Sequence, residues 1–155
     1  MSESVSDYPR PPRVERSRRR IRVVLGGETI VDTIRALRVL EMSHPPVFYV
    51  PLDEVAEGVL WPSDGRTTVC EWKGTASYYD VRAGGREVER GAWTYRDPIA
   101  GFEEIREAVA FYPGRVDACL VDGERVTPEA GDFYGGWITS EVVGPFKGDP
   151  AAADR

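Results

Sequence analysis

The chain has 155 residues, 41% of them hydrophobic and 30% charged, which suits one domain with a single core, since domains run to roughly 100–200 residues. Two cysteines, no apolar run as long as a membrane-spanning helix needs and a formal net charge of −6 exclude a disulfide scaffold, a helical membrane span and a long disordered chain. The charge is uneven: residues 1–22 carry seven Arg against Glu3, Asp7 and Glu15, while the remainder holds 13 basic and 23 acidic side chains and should repel a nucleic-acid backbone.

In chain order, residues 1–20 carry Pro9, Pro11 and Pro12, few apolar side chains and much charge, and they are read as a flexible basic arm. The ordered domain is expected over 21–147. Ile21–Leu25 and Glu28–Asp32 read as strands joined by a tight turn at Gly26-Gly27. Val47–Val50 is a β-branched and aromatic run between Pro46 and Pro51, which exclude helix there. A short helical turn is expected around Asp53–Glu57. Thr67–Trp72 alternates, with Thr68, Cys70 and Trp72 on one face, and Thr75–Arg82 and Glu87–Tyr95 follow as further strands. Phe102, Ile105, Val109 and Tyr112 are spaced 3, 4, 3 behind Asp97-Pro98, which predicts one short packed helix over about 98–111, stopped by Pro113-Gly114. Val116–Val121 and Glu124–Thr127 flank Asp122-Gly123, a hairpin signal. Residues 148–155 read as a loose tail. The sum is a mainly-β domain of sheets folded on each other.

The residue usage is skewed: 18 Arg against only Lys73 and Lys147, and no Asn or Gln. That bias is expected of a GC-rich, bacterial coding background. The two cysteines and the absence of an uninterrupted apolar stretch behind the first charges point to a cytoplasmic protein without a secretory signal. His44 is the one histidine, and Cys70 and Cys119 form no C-x-x-C pair, so neither a metal site nor a cofactor is expected. There is no phosphate loop, dinucleotide-binding glycine string or serine elbow.

A string of motifs remains: Ser43-His44-Pro45-Pro46-Val47-Phe48-Tyr49-Val50-Pro51, Cys70-Glu71-Trp72-Lys73-Gly74-Thr75-Ala76-Ser77-Tyr78-Tyr79-Asp80-Val81, Trp93-Thr94-Tyr95-Arg96-Asp97-Pro98, Ala110-Phe111-Tyr112 and Val116-Asp117. In this order they strongly resemble the bacterial family called domain of unknown function 427, over about residues 21–145. Gly136-Trp137-Ile138-Thr139 and Gly144-Pro145-Phe146-Lys147-Gly148 resemble a C-terminal extension of some members. The resemblance implies a β-tent-like fold, two antiparallel sheets meeting at an angle, as in methionine sulfoxide reductase B and the drug-binding domain of cereblon. In such relatives the ligand site is aromatic and lies between the sheets. Many relatives hold zinc on two C-x-x-C knuckles, both missing here. The family is also sometimes labelled nucleotidyltransferase; after Gly26-Gly27, Asp32 has no second acid two positions on, where Ile34 stands. Members commonly have Pro-Tyr where this chain has Glu71-Trp72 behind the cysteine.

Seven residues are the expected site. His44 titrates nearest neutrality and sits in a proline-constrained loop. Cys70 is a candidate nucleophile, and Lys73 would favour its thiolate only if the chain bends at Gly74, because residues three apart on a strand face opposite ways. Lys73 is itself singled out as a lysine in an arginine background, where a point-like ammonium is wanted. These three would be the catalytic group if the protein is an enzyme. By analogy with β-tent relatives, Trp72, Tyr78, Trp93 and Tyr95 would line a pocket for a small molecule. Two readings compete: a non-catalytic interaction module recruited through the basic arm, and nucleotide transfer as the family label suggests.

Overall fold

The computed structural model describes residues 2–70, 72–130 and 135–146; the expected tail, 148–155, lies outside them. The chain is mainly β. Its strands are β1 Glu3–Ser4, β2 Arg13–Arg16, β3 Ile21–Leu25, β4 Glu28–Thr33, β5 Leu37–Leu40, β6 Val47–Pro51, β7 Leu60–Cys70, β8 Gly74–Ala83, β9 Arg86–Thr94, β10 Ala108–Phe111, β11 Ala118–Val121, β12 Glu124–Arg125, β13 Thr127–Pro128, β14 Trp137–Ile138 and β15 Val142–Val143. Seven form one antiparallel sheet in the order β2-β5-β6-β10-β9-β8-β7, and four form a second, β12-β11-β3-β4. Among the described residues no helix is long and apolar enough to cross a membrane.

The turns follow from residue type. Gly26 and Gly27 (φ 62° and 78°) and Asp122 and Gly123 (φ 49° and 83°) take the left-handed conformation at both central positions, as two-residue hairpins require. The expected turn near Asp53 is a single 3-10 turn, Leu52–Glu54.

Period-two alternation gives the seven-stranded sheet two different faces. Phe48 and Val50 of β6, Val81 of β8, Ala92 of β9, and Val109 and Phe111 of β10 pack with Ile21, Val23 and Leu25 of β3 and Cys119 of β11. That is the core between the sheets. Trp137 completes it, fully buried, its ring 5.0 Å from Phe48 and its Nε1–H donating to the Phe111 carbonyl at 3.2 Å. The neighbouring residues along the same strands, Tyr49, Tyr78, Trp93 and Ala110, belong to a second cluster with Tyr95 and Tyr112 on the opposite face.

Two expectations differ from the structure. No helix covers 98–111; a one-turn 3-10 helix at Glu103–Ile105 is followed by β10, a central strand. Glu107 sits at φ 63°, which ends any right-handed helix. The apolar run Ala108–Phe111 is buried throughout, as a strand covered on both faces must be; the 3, 4, 3 spacing straddled a turn and a strand. The presumed arm is also built into the fold. β2 pairs with β5 along its length, β1 pairs with β15, and Val5 and Tyr8 are buried with Leu40 and Val142. An edge strand is held by backbone hydrogen bonds, so it needs little apolar sequence of its own.

Candidate functional site

The second face of the seven-stranded sheet carries an open cavity of about 260 Å³, and all seven expected site residues line it. The register explains the convergence. Tyr78 of β8 is the cross-strand partner of Trp93 of β9, which is in turn the partner of Ala110 of β10. Tyr95 lies two positions beyond Trp93 and therefore on the same face. Ala76, which lines the cavity, is small and buried among Tyr49, Tyr78, Trp93 and Tyr112; where aromatics surround alanine, the sheet face is hollow. The cavity thus lies on the face turned away from the four-stranded sheet, whereas the β-tent analogy implied a site between the sheets.

Cys70 and Lys73 share the cavity because the chain reverses between them. Cys70 pairs with Gly74 across the β7–β8 hairpin, and Gly74 takes φ 114°. The Lys73 carbonyl accepts from the Ile99 N–H at 2.9 Å, which pins this turn to the loop beyond β9. Lys73 is only 9% exposed, with its ammonium 5.9 Å from the centre of the Tyr95 ring. Trp72, in the same turn, is half-buried against the aromatic cluster. Glu71, the departure from the family pattern, lies outside the described residues.

His44 enters from the β5–β6 loop. Ser43, before it, takes φ 70°, and the loop is held from the N-terminal segment: Ser43 N–H donates to the Val5 carbonyl at 2.9 Å and Met42 N–H to that of Pro9 at 3.2 Å. The His44 ring places Nδ1 3.1 Å from the Glu129 carboxylate, with Nε2 3.9 Å from that of Glu41. Glu129 is 6% exposed and also accepts the Gly136 N–H at 3.1 Å. An Nδ1–H donating to Glu129 leaves Nε2 as the basic nitrogen.

The tyrosines form a bonded wall. Trp93 Nε1–H donates to the Tyr49 hydroxyl at 3.2 Å, and the Thr68 and Tyr78 hydroxyls are 2.8 Å apart. The Trp93 and Tyr112 rings lie 4.5 Å apart. Arg90 and Arg115 lie 4.1 and 4.0 Å from the ring centres of Tyr78 and Tyr112. Burial pushes the Tyr49, Tyr95 and Tyr112 hydroxyls above the ordinary tyrosine value, so at neutral pH they are uncharged donors. Cys119, the other thiol, is in the core between the sheets, and both cysteines are free.

Sequence reading missed Glu129, Tyr49, Tyr112 and Gly135. Glu129 is 85 positions from its histidine, and no spacing rule joins them. Gly135 closes the rim so tightly that a β-carbon there would stand 2.2 Å from the Trp93 ring. Among the described residues no group of three His, Cys, Asp or Glu could hold a metal ion. Asp122-Gly123-Glu124 has the spacing of a carboxylate pair, but Asp122 is engaged by Arg19 and the Arg20 N–H and Glu124 by Ser140.

Compared with known families, residues 13–122 match the model described as domain of unknown function, DUF427. The match includes His44, Cys70, Trp72, Lys73, Tyr78, Trp93 and Tyr95 and stops before Glu129 and Gly135. No curated protein matches the chain.

Proposed function

The chain belongs to the DUF427 family, and from that premise we propose that it binds a small molecule in the aromatic cavity on the outer face of its seven-stranded sheet. The observation that carries this reading is the convergence of His44, Cys70, Lys73, Trp72, Tyr78, Trp93 and Tyr95 on one hollow. Buried aromatic walls with a few convergent polar groups are the usual form of a small-molecule site. The structural alternative, in which each residue is buried in its own packed surroundings, does not account for a shared opening.

The reading extends to catalysis through the His44–Glu129 pair. A buried carboxylate fixes the orientation of the imidazole ring, and a positioned histidine can serve as an acid or base. Cys70 and Lys73 are the groups beside it able to attack or to donate a proton.

A protein-observed NMR screen of small aromatic fragments tests the proposal. Bound fragments are expected to shift the single histidine's ring signals and the indole signals of Trp72 and Trp93. His44→Ala should abolish this binding while the protein keeps its melting temperature within a few degrees. Fragments that bind without disturbing any of these signals would overturn the site.

A further inference from the structure

Resting on that reading of the cavity, we propose that its occupant carries one compact negative charge, a carboxylate on a small flat apolar body, and that Lys73 receives it. Lys73 lines the cavity and is 9% exposed, and its ammonium makes no hydrogen bond or ion pair among the described residues. Among the described residues its ammonium has the face of Tyr95 beside it. A buried ammonium is costly unless a counter-charge meets it. The two carboxylates of the same cavity are committed elsewhere: Glu129 to His44 and the Gly136 N–H, and Glu41 nearest His44 Nε2. Among the described residues the cation is therefore unanswered, and it is open to the cavity.

The charge should be single. Phosphate sites gather arginine forks or helix N-termini, yet in a chain with 18 Arg none of the described residues lining this cavity is arginine. Glu41 and Glu129 in the same walls oppose a dianion. One ammonium is a single point charge and balances one carboxylate. The aromatic walls, Trp93, Tyr95 and Tyr112 among them, suit a flat body.

Benzoate, benzamide and phenyl phosphate separate the terms, with tryptophan fluorescence and thermal shift of the full chain as readouts. Benzoate is expected to bind about 10- to 100-fold more tightly than benzamide, the worth of a charge-assisted hydrogen bond, and no less tightly than phenyl phosphate. Lys73→Met should remove the preference for benzoate and melt no lower than the parent, because it deletes an uncompensated charge. Equal binding of benzoate and benzamide to the parent, or a preference surviving Lys73→Met, overturns the charge assignment and leaves the pocket standing. Tighter binding of phenyl phosphate overturns the single charge. Binding of none of the three overturns the pocket reading with it.

Discussion

At the scale of single residues, the site depends on a few side chains that are buried yet polar. Glu129 is the sharpest case: one carboxylate oxygen faces the His44 ring and the other accepts a buried backbone N–H from Gly136. Removing it strands a buried donor, which costs about 1–3 kcal/mol. Glu129→Ala is therefore expected to lower stability by that amount in urea unfolding, and Glu129→Gln, which keeps an acceptor oxygen, by clearly less. Equal losses would mean that the carboxylate's bonds contribute nothing specific. Lys73 is the opposite case, a buried charge with no ion-pair partner among the described residues. Its sequence signal was its rarity: in a chain that otherwise writes Arg, the described Lys is the one in the cavity.

At the scale of elements, the N-terminal segment is the surprise. Charge and proline content argued for a loose arm, and composition alone cannot reveal an edge strand whose stability is mostly backbone pairing. The same segment supplies the carbonyls that hold the His44 loop. Glu3 ties it down: Arg38 donates two hydrogen bonds to its carboxylate, at 2.9 and 3.0 Å, and Tyr8 a third at 2.8 Å. The Arg38 bonds, with help from Tyr8, hold the Glu3 carboxyl below its ordinary value despite partial burial. A depressed carboxyl stabilises the fold fully above its unfolded value and loses that contribution as pH falls through the folded one. Acidification should accordingly lower the protection of the Met42 and Ser43 amides against hydrogen exchange, relative to β9 and β10. Glu3→Gln should show the same loosening already at neutral pH. Protection unchanged in both would separate the segment from the His44 loop. The misread helix is an element-scale lesson too: Phe102, Ile105, Val109 and Tyr112 keep helical spacing while belonging to a 3-10 turn and a strand.

At the scale of the whole molecule, the two sheets meet where their hairpin turns touch. A β-carbon on Gly84, in the β8–β9 turn, would stand within 1.9 Å of the Gly26 carbonyl oxygen in the β3–β4 turn, whereas one on Gly85 would meet nothing. Both glycines have positive φ, 57° and 78°. Gly85→Ala should thus cost only left-handed strain, about 1–2 kcal/mol, and Gly84→Ala distinctly more, because backbone must move between the sheets. Equal melting temperatures for the two variants would show that the turns do not hold the sheets together.

Local chemistry was enough to identify most strands, the glycine hairpins and the residues worth suspecting. Those features depend on neighbours in the chain: alternation, turn residues, proline boundaries, and the rarity of one His and two Lys. What only the tertiary structure decided is which suspects meet and on which face. Cys70 and Lys73 looked opposed by alternation, and the reversal at Gly74 brought them together. The aromatic site was expected between the sheets, and cross-strand register put the cavity on the outer face, over Ala76. Glu129 joined His44 across 85 positions. Strand pairing is non-local, and a shift of one residue exchanges the two faces of a strand, so a cavity built on register is fixed only once the strands have found their partners.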